Sequence, residues 1–163
     1  MTRWLAVCLL AGPLAAQHIR VKVAEPSPDF ARIASFQLRP GTFSGRHYKV
    51  DEAVLRENLE AKIVERATSK GLRPAANAKP DVVITYSLRA EEEKERPGRG
   101  STRTRSREVM RYELEIRMLN AAGERVWTAT GTGEADDWRH KYLEERVLRA
   151  VVFAFAKYPP GRE

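Results

Sequence analysis

Five arginines, Arg96, Arg99, Arg103, Arg105 and Arg107, follow one another without an intervening acid. A guanidinium presents a planar fork of donors that matches a phosphate or carboxylate, so the chemistry offered here is anion capture. Gly98, Gly100, Ser101, Thr102, Thr104 and Ser106 stand between them, and Glu91-Glu92-Glu93 comes shortly before. No aromatic residue is interleaved, which removes the stacking platform that single-stranded nucleic acid requires. An acidic partner protein or an anionic lipid or polymer is therefore favoured over nucleic acid. The bland alternative is a solvated loop whose acidic and basic halves partly neutralise each other.

The other residues that could do chemistry lack the spacing for it. His18, His47 and His140 are the chain's histidines, and no two stand four apart as zinc ligands on a helix would. Asp136-Asp137 lies near His140, but one of the pair reads more simply as the cap of a following helix. Cys8 is the single cysteine and lies in the first apolar run, so neither a disulfide framework nor a thiol nucleophile is expected in residues 17–163. Gly131-Thr132-Gly133 lacks the third glycine and the helix start of a phosphate loop; in a strand, Ala129, Gly131 and Gly133 share a face that can admit close packing. No metal site, no cofactor and no catalytic group are assigned.

The amino terminus reads as an address. Arg3 supplies a positive charge, Trp4 to Ala11 an apolar run, and Leu14-Ala15-Ala16 a small-residue exit before Gln17. Residues 1–16 are thus expected to be a signal peptide, with the protein periplasmic or secreted. The alternative is lipid anchoring to the outer membrane through Cys8, although Val7 before it is branched and Leu9-Leu10-Ala11 after it stays apolar. The apolar run falls short of the roughly 20 residues that span a bilayer. A formal charge of +7 in 163 residues agrees with an anionic partner without identifying one.

These residues need a scaffold, and periodicity supplies it over residues 17–163 as one domain. His18 to Val23 alternate apolar and polar, as a half-buried strand does. Ile33 to Leu38 reads as a second strand, with Pro40-Gly41 and Gly45 as loop punctuation. A helix is predicted from Glu52 to Lys70, with Asp51 as N-cap, Val50 and Leu55 as a hydrophobic staple, and Leu55, Leu59, Ile63 and Ala67 as its core stripe. Gly71 suits the left-handed position after it, and Leu72 can pack back. Val82 to Leu88, Met110 to Met118 and Val126 to Gly133 read as strands, with Asn120 to Gly123 as a tight turn. A closing helix, Arg139 to Lys157, stops at Pro159-Pro160. The result is an α+β two-layer sandwich: a mostly antiparallel sheet of about five strands with two helices on one face. Glu91 to Arg107 becomes a long, mobile, basic hairpin loop (residues 91–107).

Several of these segments in this order resemble the domain-of-unknown-function 4136 family of small bacterial envelope proteins. They are Asp29-Phe30 leading to Ser35-Phe36, Lys70-Gly71-Leu72, Pro80-Asp81-Val82 through Tyr86, Val126-Trp127 with Gly131, and Tyr158-Pro159-Pro160. The resemblance implies an exported protein, often a lipoprotein, and carries no activity. Together with the residues it points to a non-catalytic binding or structural module of the envelope. The alternatives are an enzyme whose site is too dispersed to read, or an anionic-ligand binder acting through the arginine loop.

Overall fold

Alternating burial along two long strands organises the molecule. A computed structural model describes residues 18–23, 28–45, 51–76, 79–95, 107–135 and 140–159. In β5 (Val82–Glu95) the side chains of Val82, Ile84, Tyr86, Leu88 and Ala90 are buried; in β6 (Arg107–Leu119) those of Met110, Tyr112, Leu114, Ile116 and Met118 are. β7 (Arg125–Ala135) follows through the turn at Asn120, whose Oδ1 accepts from the amides of Ala122 and Glu124 at 2.9 and 3.0 Å. The remaining strands are β1 (His18–Val23), β2 (Ser35–Leu38), β3 (Thr42–Ser44) and β4 (Arg73–Pro74).

The described strands form one seven-stranded sheet in the order β1-β7-β6-β5-β2-β4, with β3 also on β5. β1, β7, β6 and β5 are antiparallel neighbours, whereas β2, β3 and β4 join in parallel. The expected five-stranded, mostly antiparallel sheet is thus corrected to a mixed one of seven. Helix α1 (Glu52–Ser69) lies between β3 and β4 in the chain, and this crossover is what makes β2 and β5 parallel.

α1 and α2 (His140–Ala156) cover the same face. Leu55, Leu59, Ile63 and Ala67 from α1 and Leu143, Val147, Val151 and Phe155 from α2 join the inward strand residues in one core. Asp51 caps α1 by accepting from the amides of Ala53 and Val54 at 3.0 and 3.3 Å; Val50, its expected staple partner, lies outside the described residues. At the other end the Leu72 amide donates to Ala67 and the Gly71 amide to Thr68, with Gly71 at φ +89°. That pair of bonds is a Schellman motif, and Leu72 is buried behind it.

The helix-free face is polar, as a wetted sheet face must be. Register sets Thr85, Arg117, Thr128 and Lys22 in one row and Ser87, Glu115, Thr130 and Arg20 in the next. Arg117 holds Glu115 with two hydrogen bonds of 2.7 and 2.8 Å, which together with the nearby Arg125 keeps that carboxyl below its ordinary range.

Asp81 ties the start of β5 to β2. Its Oδ2 accepts from the amides of Ala34 and Ser35 at 3.0 and 2.8 Å and from the Ser35 hydroxyl at 2.8 Å. The Ser35 hydroxyl, ahead of the two amides, lowers the Asp81 pKa below the ordinary 3.8. The unfolded chain therefore binds this proton more tightly than the folded one. The stabilisation is present above the ordinary value and is lost as pH falls through the folded one. Because Asp81 is exposed, water screens the effect. The urea midpoint of the protein is expected to exceed that of Asp81→Ala by most near neutral pH, with the gap closing below about pH 4. Parallel midpoint curves across that range would contradict it.

Candidate functional site

Strand pairing extends further into the basic segment than alternation allows one to read. β5 continues to Glu95 and β6 begins at Arg107, in unbroken register through Glu91↔Arg111, Glu93↔Val109, Lys94↔Glu108 and Glu95↔Arg107. The expected 91–107 loop is corrected accordingly: its acidic half is sheet, and residues 96–106 connect the strands. β7 reaches only Met110, and β3 reaches only Arg89. Beyond those points the described strands stand as a two-stranded ribbon.

Several charges beside this ribbon are paired across the sheet. Arg89 donates to Glu91 through Nε and Nη2 at 3.0 and 2.7 Å. Arg111 bridges two carboxylates, donating from Nη1 to Glu93 at 2.5 Å and from Nε to Glu134 on β7 at 2.9 Å. Such exposed pairs add little to stability. Of the acids on this stretch of β5, Glu91 and Glu93 thus have cationic partners within the sheet.

The five candidate arginines are therefore not equivalent. Arg107 belongs to β6 by its backbone, opposite Glu95. Arg96, Arg99, Arg103 and Arg105 fall in residues 96–106, outside the described residues, where the sequence holds four arginines and no aspartate or glutamate. Sequence reasoning missed the Glu93–Arg111–Glu134 bridge. Alternation of Arg111, Glu113, Glu115 and Arg117 was its signal, but the partners depend on register.

Other candidates resolve into packing or lie elsewhere. Trp127 is fully buried, edge-on to Tyr158 at 5.6 Å between ring centres. Gly133 leaves room for the Tyr112 ring, whose hydroxyl donates to the Arg146 carbonyl of α2 at 3.3 Å. His18 and His140 sit in β1 and α2, while His47, Asp136, Asp137, Trp138, Cys8 and residues 1–16 lie outside the described residues. Among the described residues no three His, Cys, Asp or Glu side chains gather as metal ligands would, and no helix is long and apolar enough to cross a membrane.

A family model for a domain of unknown function, DUF4136, matches residues 21–160. The chain belongs to this family. Within this DUF4136 fold, the segments that carried the resemblance meet in two places. Ser35 joins Asp81 through the bonds above, and Phe30, Trp127 and Tyr158 form an aromatic cluster with Phe30–Tyr158 and Trp127–Tyr158 both at 5.6 Å. Both are structural joints.

No curated protein matches the chain significantly in sequence. Among solved structures, the fold is similar to a PDZ domain protein from Parabacteroides distasonis, at TM-score 0.54 and 17% identity over 90% of this chain. The chain spans 37% of that protein's length. It is also similar to a neuraminyllactose-binding hemagglutinin homolog from Helicobacter pylori, at TM-score 0.54 and 6% identity, over 79% of this chain and 87% of that one. These likenesses concern the fold alone. A lipoprotein from Neisseria meningitidis is more distant, at TM-score 0.43 and 12% identity over 76% of this chain and 99% of its own.

Proposed function

We propose that this DUF4136 member is an exported, non-catalytic protein of the bacterial cell envelope that binds an anionic envelope surface through Arg96, Arg99, Arg103 and Arg105. One observation carries the reading. Residues 96–106 hold four arginines and no aspartate or glutamate, while Glu91 and Glu93, on the strand that leads into them, are held by Arg89 and Arg111. The signal-like amino terminus supports export, and the net charge of +7 supports an anionic partner.

The test is binding to vesicles of phosphatidylglycerol and phosphatidylcholine across a salt series. Each basic residue near an anionic surface contributes about 1 kcal/mol. Replacing Arg96, Arg99, Arg103 and Arg105 together by Gln is expected to weaken binding about a hundredfold or more at low salt and to flatten the salt dependence. Lys70→Gln, an exposed cation at the end of α1, is expected to change it little. Salt-dependent binding that survives the fourfold replacement would overturn the proposal, as would absence of binding by the parent.

A further inference from the structure

At the end of the sheet opposite the ribbon, the polar face changes character. Val83 and Leu119 are register partners on the helix-free side of β5 and β6, and both are half-buried. They line a cavity of about 370 Å³ together with Gln37, Arg39, Lys79 and the turn from Asn120 to Gly123. That volume lies at the small end of ligand sites. Arg39 follows β2 and Lys79 precedes β5, so two separate segments bring two cations to one opening.

Neither cation is paired with any described residue. The acids of the adjoining segments are held by neutral donors rather than by these cations. Asp81 accepts from Ala34 and Ser35, and Glu124 accepts from the Asn120 amide at 2.8 Å. The cavity thus combines two cations that form no ion pair with any described residue and the apolar side chains of Val83 and Leu119.

We infer that this cavity binds a monocarboxylate carried on a branched aliphatic group, with the chemistry of an aliphatic residue at a peptide's C-terminus. Such a residue bears its carboxylate and its side chain on the same carbon. The carboxylate suits the forked donors of Arg39 and the ammonium of Lys79, while the aliphatic part covers Val83 and Leu119. An acid without the aliphatic group forfeits the apolar contact, and an amide forfeits the charge. The site is independent of the arginine connection, and either can fail without the other.

The experiment is a titration of the full-length protein followed through its backbone amide resonances, using N-acetyl-leucine, N-acetyl-leucinamide and acetate. Shifts confined to Arg39, Lys79, Val83, Leu119 and the 120–123 turn are expected with N-acetyl-leucine, and weaker ones with the other two. The double variant Arg39→Gln, Lys79→Gln is expected to bind N-acetyl-leucine about tenfold or more weakly, the loss associated with a charge-assisted hydrogen bond. Equal responses to the acid and the amide, shifts centred elsewhere, no response, or unchanged affinity in the double variant would each overturn the assignment. The ligand comparison on the parent decides the matter even if the double variant fails to fold.

Discussion

Trp127→Ala is expected to destabilise the protein by about 3–5 kcal/mol, the range for deleting a large buried aromatic. The indole is fully buried and touches Tyr158 edge-on and Phe155 at 5.8 Å in a tilted arrangement. Removing it takes away the contacts that fasten the end of α2 to β7, and the rigid sheet beneath cannot close over the gap. Domains of this size hold about 5–15 kcal/mol in total, so the variant should lose a large part of its margin. Trp127→Phe is expected to cost clearly less. It keeps aromatic packing and removes an indole N–H that is buried without a hydrogen-bond partner. Urea unfolding of the three proteins checks both statements. An alanine variant with the parent's midpoint, or a phenylalanine variant as damaged as alanine, would contradict them.

Gly45→Ala is the second large effect, expected at about 2–5 kcal/mol from backbone strain and overlap combined. Gly45 has φ +106°, and a Cβ there would lie 2.0 Å from the Ala90 carbonyl oxygen. Backbone of β5 would have to move, and Ala90 is itself buried. Gly71→Ala supplies the control. Its φ of +89° carries similar strain, but nothing lies within 4 Å of the added carbon. That variant should cost about 1–2 kcal/mol. Thermal unfolding of the pair separates strain from collision, and equal losses would mean that β3 yields freely.

Much of this architecture was legible because one-sided burial writes a period into the chain. The alternation from Met110 to Met118 and the stripe Leu55, Leu59, Ile63 and Ala67 are both buried as their spacing requires. Asp51, Gly71 and Leu72 were readable for a local reason, since caps are chemistry within one turn. β3 and β4 were not readable, being three and two residues long. β3 is flanked by contacts that only the folded chain creates: Arg56 donates to the Gly41 carbonyl at 2.8 Å and lies 4.5 Å over the Phe43 ring. Glu91 to Glu95 failed for a different reason. Its five residues, Glu91-Glu92-Glu93-Lys94-Glu95, are all charged, so the strand there shows no apolar period. The cavity was equally hidden, because Val83 and Leu119 become neighbours only through register and Arg39 and Lys79 only through the parallel crossover. The arginine cluster was plain in composition, but the Glu93–Arg111–Glu134 bridge beside it was a property of register.

The place of β1 in the sheet bears on the order in which the molecule can be assembled during synthesis. β5, β6 and β7 pair with their neighbours in sequence, so their closure is local and early. β1 is made first, yet His18 pairs with Thr132 and Val23 with Trp127, near the other end of the chain. As the polypeptide leaves the ribosome, this strand must wait unpaired until almost all the remainder has emerged. Its two exposed cations, Arg20 and Lys22, then serve a second purpose as gatekeepers that discourage premature association with other chains.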